Sequence, residues 1–328
     1  MATLDQDDLD AIQLLIDPTD AKIDTLASSI TSLAGDVGDV ASDVSAVKAV
    51  TDTLSTRRVP AVHIGVTASA TPMFNALHDA PSLSAHWTAE RSDLIFSDTS
   101  GTNKATLGGF VKGWRDQVNG WLASQVVATD NITFDLVDGK PGVISDATLY
   151  SGLDIEAAGG VLFQNRPYSY VFIAHKYAAQ ETTQYALAYS ATGVTGTRRV
   201  GCALNNNDAK LWANGKRVGA DAYFNAFDRS GITHGVWTIG TYAFEWASGV
   251  ARVRSNLNAY ESVAMDSTGN SEDGASGRMR IHSSIGTNAG GGVIGPIGEI
   301  VVCNPTSIFT ENQIDNISSA MMAKWEAA

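Results

Sequence analysis

Tyr242, Phe244 and Trp246 recur at a spacing of two, so a β-strand would carry all three rings on one face. A flat aromatic surface of this kind can receive the C–H side of a sugar ring, with nearby amides or carboxylates pairing its hydroxyls. The residues that follow supply such groups: Asn256, Asn258 and Tyr260, then the long polar loop 266–274, which contains Asp273. A second amide cluster, Asn206, Asn207 and Asp208, lies in the run that starts at Asn205. Trp121 follows the Asn119-Gly120 turn and is a further surface candidate. The same period-two stripe also describes one half of a sandwich core, and sequence leaves both readings of Tyr242 and Trp246 open.

Reaction chemistry has weaker support. Retaining glycoside hydrolysis needs two carboxyl groups roughly 5–5.5 Å apart, and Glu245 has no second acid at a matching offset. Glu272 and Asp273 sit in a Gly/Ser-rich stretch and read as a solvated turn. A lyase could assemble a tyrosine and a histidine from separate strands, Tyr170 or Tyr185 with His175. The histidines, His63, His78, His86, His175, His234 and His282, lack the spacing of a helical metal pair. Calcium is the one metal with candidate donors, Asp116, Asp138, Asp146 and Asp154, but no EF-hand-like spacing joins them. Gly290-Gly291-Gly292 does not link a strand to a helix as a phosphate loop would. The expectation is therefore no catalytic residues, no metal and no cofactor.

The display of such a site depends on the N-terminal region. Ile23, Leu26, Ile30, Leu33, Val37, Val40, Val44, Val47, Thr51 and Leu54 alternate at spacings of three and four, the a/d seam of a coiled coil. One helix cannot bury that stripe alone, so the chain should associate with copies of itself. Ala27, Ala34 and Ala41 stand beside the seam and permit close packing. Gly35 and Gly38 fall at outer positions and each costs roughly 1 kcal/mol of helix propensity. The seam identities do not separate two strands from three, and a single amphipathic helix packed on the head is the other reading. Pro18 divides an acidic segment, residues 1–19, from the stalk, residues 20–58. Residues 59–80 read as a linker or collar.

Bulk composition narrows the partners. The formal net charge is −13 over 328 residues, which disfavours nucleic acid. Much of the excess lies at Asp5, Asp7, Asp8, Asp10, Asp17, Asp20 and Asp24, a solvated arm or a docking patch. No apolar run is long enough to span a membrane, and the first residues carry no signal-peptide pattern. Cys202 and Cys303 read as buried free thiols of a chain made in a reducing cytoplasm.

Residues 81–328 are β-rich. Strands are predicted at 168–174, 197–204, 235–244, 249–254, 278–284 and 297–303, with no interspersed helical pattern, which implies a sandwich. Lys210 to Val218 is predicted as a hairpin that turns at Asn214-Gly215. A final helix is predicted from the capping pair Thr310 and Gln313, with Ile314, Ile317, Met321 and Trp325 on its apolar face.

Four stretches in order resemble the laminin-G-like, concanavalin A-like β-sandwich family. Leu83-Ser-Ala-His-Trp-Thr-Ala89 and Val111-Lys-Gly-Trp-Arg-Asp-Gln-Val-Asn-Gly120 match its opening pattern through Trp87, Trp114, Asp116, Asn119 and Gly120, with Val118 replacing a small residue. Asp138-Gly-Lys-Pro-Gly-Val143 is similar to its N-G-K-P-A-V segment, and Trp212-Ala-Asn-Gly215 to its V-N-G hairpin. Ile297-Gly-Glu-Ile-Val-Val302 with the helix ending Lys324-Trp325 resembles its closing pattern. The resemblance implies a mainly β, antiparallel jelly-roll sandwich with a short C-terminal helix, and core roles for Trp87 and Trp114. The glycosidases of that fold carry a Glu-x-Asp-x-x-Glu strand, which is absent here.

With its stalk and acidic arm, the whole chain resembles a bacteriophage fibre, spike or receptor-binding protein. That likeness implies a homotrimer, with a homodimer as the alternative, on a virion surface. It also implies a non-enzymatic head that binds host-surface polysaccharide, and N-terminal attachment to capsid or tail proteins. A polysaccharide hydrolase or lyase on the same fold, and a purely structural decoration protein, are the competing readings.

Overall fold

The computed structural model describes residues 22, 25–29, 32, 82–125, 132–145, 152–155, 162–178, 183–190, 198–205, 209–272, 277–283 and 294–327. Backbone packing divides the chain into two units, Met1–Val66 and Thr67–Ala328. In the first, residues 25–29 are helical and Leu26 is exposed. The other seam residues, Ile23, Ile30, Leu33, Val37, Val40, Val44, Val47 and Leu54, lie outside the described residues, as does the collar.

The second unit carries eighteen strands among its described residues, a C-terminal α-helix and a further helical pair at Leu162 and Phe163. In chain order the strands begin β1 (Leu83–Thr88), β2 (Ile95–Phe96), β3 (Gly109–Phe110), β4 (Gly113–Arg115), β5 (Leu122–Gln125) and β6 (Ile132–Val137). Next come β7 (Lys140–Ser145), β8 (Leu153–Ile155), β9 (Ser169–His175), β10 (Gln184–Ser190), β11 (Arg198–Asn205) and β12 (Lys210–Gly215). The series closes with β13 (Phe224–Phe227), β14 (Thr238–Glu245), β15 (Val250–Ser255), β16 (Glu261–Ala264), β17 (Arg278–Ile281), β18 (Gly295–Cys303) and the helix α1 (Glu311–Trp325).

Two nine-stranded antiparallel sheets form a sandwich. The first runs β16-β15-β14-β9-β18-β7-β6-β3, with β1 also paired to β18, and the second runs β13-β12-β11-β10-β17-β8-β5-β4-β2. Between them lie Trp87, Trp114, Val171, Ile173, Leu187, Val200, Leu211, Tyr242, Phe244, Trp246 and Ile300. The outer face of the first sheet is covered by α1, whose Ile314, Ile317, Met321 and Trp325 pack on Tyr170, Phe172, Ile239 and Val301. That second cover explains why β9 and β14 are buried on both faces and read as unbroken apolar runs.

The predicted strands at 168–174, 197–204, 235–244, 249–254 and 297–303 coincide closely with β9, β11, β14, β15 and β18, and that at 278–284 with the shorter β17. The helix forms with its capping box: the Thr310 side chain accepts from the Gln313 N–H, and the Thr310 N–H donates to Gln313 Oε1 at 2.9 Å. Both cysteines are buried free thiols.

The predicted hairpin at Asn214-Gly215 does not form. Both residues end a strand paired on its two sides, Asn214 opposite Gly201 and Asn225, and Gly215 opposite Val200 and Phe224. Residues 216–223 make the turn instead. Gly215 is needed for close approach, because a Cβ there would overlap the Arg199 carbonyl.

Gly298 has a similar role under the helix. A Cβ on Gly298 would stand inside the indole ring of Trp325. Gly298→Ala should therefore push α1 off β18 and lower stability by about 2 kcal/mol. Thermal denaturation checks the loss, and faster proteolysis within 311–325 checks its location.

Candidate functional site

The outer face of the second sheet differs in kind from that of the first. Strand register sets Tyr185 opposite Ala203, Ala203 opposite Trp212, and Trp212 opposite Phe227. This is one row across β10, β11, β12 and β13, with three rings and a single small residue between them. Tyr185 and Trp212 lie 6.0 Å apart, and the nearly parallel rings of Trp212 and Phe227 lie 5.5 Å apart. Alternation puts Leu211, Ala213, Phe224 and Ala226 into the core and leaves Trp212, Asn214, Asn225 and Phe227 on the outer side.

The neighbouring row holds amides. Ala188, Gly201, Asn214 and Asn225 face one another in register. Asn225 is exposed, and its Oδ1 accepts the Trp212 indole N–H at 3.2 Å. That bond fixes the ring and turns the Asn225 amide hydrogens away from it. Asn214 is wholly buried and accepts from Arg198 Nε at 2.7 Å, while the Arg198 guanidinium lies 4.3 Å from the Tyr185 ring centre. Gly201 keeps the row open, since a Cβ there would crowd Asn214 and Arg198. Burial raises the Tyr185 hydroxyl pKa, so that group stays protonated.

At the sheet edge the row meets a cleft of about 310 Å³ between β13 and β16. Lys210, Asn225, Phe227, Arg229, Glu261 and Ser262 line it, with Arg229 Nε 3.2 Å from Glu261 Oε2. Aromatic face, amide, cations, carboxylate and hydroxyl thus converge where the two sheets end.

The residues singled out from sequence are distributed differently. Tyr242, Phe244 and Trp246 do share one face, but it is the inner one, and all three are buried between the sheets. Tyr242 and Trp246 are therefore core side chains with no face open to a ligand. Asn256 is 8 % exposed and structural: its Oδ1 accepts the Ile239 N–H at 2.8 Å, and its φ of 51° makes the turn after β15. Tyr260 packs at the margin of the helix layer with the Arg254 guanidinium 4.2 Å from its ring centre. Asn258 is exposed and donates to Ser255 Oγ at 3.0 Å. Trp121 is half-buried against the core. Asn206, Asn207, Asp208 and Asp273 lie outside the described residues.

Neither proposed tyrosine–histidine pair assembles. Tyr170 faces α1, whereas His175, five residues on, is on the opposite face of the same strand beside Tyr177. Tyr185 is on the outer face of the other sheet. Burial also lowers the His175 pKa to about 3, so the ring is neutral.

The buried carboxylates are tied into the structure. Glu245 accepts from Tyr170 at 3.3 Å and pairs with Arg252 at 3.0 Å. Asp116 accepts the N–H groups of His86 and Asn119, both at 2.6 Å, which locks the 116–120 turn onto β1. Asp154 is held by Arg280 and faces Arg278. Asp154 and Glu156 do stand two residues apart, but Glu156 lies outside the described residues. Asp138 pairs with Lys176, and among the described residues no three His, Cys, Asp or Glu side chains come together as a metal site. Asp146 lies outside the described residues.

Trp212, Asn225 and Phe227 carry the site, with Tyr185 buried beneath Trp212 and Arg198 as its support, yet sequence points elsewhere. The alternation of Lys210, Trp212 and Asn214 against Leu211 and Ala213 was the available signal. A turn placed at Asn214-Gly215 hides it.

No protein-family model matches this chain, and no curated protein does. Solved structures with a similar course of chain include the Trypanosoma rangeli sialidase, at 11 % identity and a TM-score of 0.45, over 73 % of this chain and 33 % of that one. A Ruminococcus gnavus IT-sialidase CBM40 is similar at 7 % identity and a TM-score of 0.41, over 51 % of this chain and 96 % of that one. A leech intramolecular trans-sialidase is similar at 9 % identity and a TM-score of 0.43, over 54 % and 27 %. This chain therefore spans about a third of the Trypanosoma rangeli enzyme. The sandwich itself is established by its strand pairing.

Proposed function

We propose that this protein binds carbohydrate through the outer face of its second sheet, without cleaving it. The stacked rings of Trp212 and Phe227, the accessible part of a row backed by the buried Tyr185 and Ala203, carry the reading. They place aromatic surface beside the exposed amide of Asn225 on a rigid sheet, which suits the apolar and hydroxyl faces of a sugar together. We propose further that the head belongs to a receptor-binding protein of a virion fibre or spike, directed at host-surface polysaccharide. The heptad seam from Ile23 to Leu54 supports self-association, with a trimer favoured and a dimer as the alternative. Several copies would turn weak single sites into avid binding. The acidic N-terminal segment would attach to capsid or tail proteins.

The test is binding of the full-length protein to a panel of bacterial surface polysaccharides, with polymer length followed for hours. Saturable binding at constant length is expected. Shortening of the polymer would replace this reading with hydrolase or lyase activity, and absence of binding throughout would favour a decoration protein.

A further inference from the structure

We infer that the aromatic site extends along β13 to Tyr223 and takes a run of about three sugar residues of a linear polysaccharide, rather than a single sugar; this rests on the carbohydrate-binding reading above. Residues 223–229 alternate strictly. Phe224, Ala226 and Asp228 are buried, while Tyr223, Asn225, Phe227 and Arg229 are exposed. The exposed set points to the outer side of the second sheet, because Phe227 stacks on Trp212 and Asn225 accepts the Trp212 indole N–H. Tyr223 stands just before β13 and is 47 % exposed, more than Phe227 at 36 %.

Three rows follow one another along the β12–β13 pair. Trp212 lies opposite Phe227, and Asn214 opposite Asn225. The next outer pair is Lys216 and Tyr223, with Lys216 Nζ 5.4 Å from the Tyr223 ring centre. Lys216 also donates to the Gly219 carbonyl at 2.6 Å, which holds the cation within its own turn. Burial raises the Tyr185 hydroxyl pKa and Tyr223 adds to that rise, so the two phenols are neighbours on this face. The order along the strand is therefore rings, amides, ring.

Tyr223 and Phe227 are four residues apart, which at the rise of a strand is roughly 13 Å. One sugar ring cannot touch both. A chain can, with one residue on Trp212 and Phe227, one on Tyr223, and one between them above the Asn225 amide. The apolar faces of the outer two would meet rings, and the hydroxyls of the middle one would meet an amide.

The experiment measures the affinity of the full-length protein for fragments of each polysaccharide in the panel that binds, prepared by partial acid hydrolysis and sized from monosaccharide to hexasaccharide. Trisaccharides and longer fragments should bind roughly tenfold more tightly than the disaccharide. Tyr223→Ala should lower the affinity of the longer fragments roughly fivefold and leave that of the disaccharide unchanged, whereas Trp212→Ala should weaken both. Tyr223→Phe keeps the ring and should bind the longer fragments as wild type does. A disaccharide bound as tightly as the hexasaccharide would overturn the extended site and leave the carbohydrate reading standing. So would unaltered binding of the longer fragments by Tyr223→Ala. Binding to no polysaccharide of the panel would remove the carbohydrate reading itself, and the inference would fall with it.

Discussion

Glu299→Gln should lower the stability of the head by about 3 kcal/mol, one of the two largest effects expected from a single substitution here. Glu299 is fully buried in the first sheet, where its carboxylate receives His86 Nε2 at 2.6 Å, Lys324 Nζ at 2.9 Å and Trp325 Nε1 at 2.8 Å. Burial alone would raise its pKa, but the Lys324 ammonium and the His86 and Trp325 hydrogen bonds outweigh that and bring it down to about 2, from an ordinary 4.5. A folded pKa below the unfolded one means that the stabilisation is present above pH 4.5 and is lost as pH falls toward 2. Lys324 gives the opposite limb. Burial would lower its pKa, but Glu299 and Glu90 raise it, so its contribution persists below the ordinary 10.5 and fades as pH climbs beyond it.

Glutamine keeps the shape of Glu299 and removes the charge that Lys324 faces. Lys324 retains Glu90 at 2.7 Å, which keeps the loss near the lower end for a broken buried pair. Denaturant unfolding at pH 7 and pH 3 checks both parts: the variant should be weaker at pH 7, and the gap from wild type should narrow at pH 3. A constant gap at both values would show that lost hydrogen bonds, and not charge, dominate.

Trp212→Ala should weaken polysaccharide binding by about 30-fold, equivalent to roughly 2 kcal/mol, while leaving the fold intact. Trp212 stands between Tyr185 and Phe227 and anchors Asn225 through its indole N–H, so its removal takes away a ring and frees an amide at once. Trp212 covers only the small outer cluster of Tyr185, Ala188 and Ala203, while Leu211 and Ala213 face the main core, so the variant should stay folded and melt modestly below wild type. Trp212→Phe should recover part of the affinity, because it restores the ring without the indole donor. Unchanged binding by Trp212→Ala would move the site away from this face.

Much of the fold is legible in the residues, for definite physical reasons. β9 and β14 are buried on both faces, which makes an unmistakable apolar run. The helix carries its own start signal at Thr310 and Gln313 and a stripe from Ile314 to Trp325. Trp87, Trp114 and Asp116 mark the opening framework, where both rings are fully buried and the carboxylate closes a turn.

The site is less legible because period-two spacing says which side chains share a face but not which face meets water. Tyr242, Phe244 and Trp246 share a face as expected, and that face is the core. α1 covers the other side of the sheet, so no polar alternation marks the difference. On β12 the alternation is present, but Asn214-Gly215 mimics a hairpin turn. The registry that carries Trp212 to Tyr185 and Phe227 joins residues far apart in sequence, and local pattern cannot supply it.

The most direct measurement is hydroxyl-radical footprinting of the full-length protein, free and saturated with the polysaccharide that the panel selects. Protection concentrated at Trp212 and Phe227, with Trp121 and Tyr260 unchanged, is the result expected of a ligand lying on the outer face of the second sheet. Protection at Trp121 or Tyr260, with Trp212 and Phe227 as reactive as in the free protein, would contradict it.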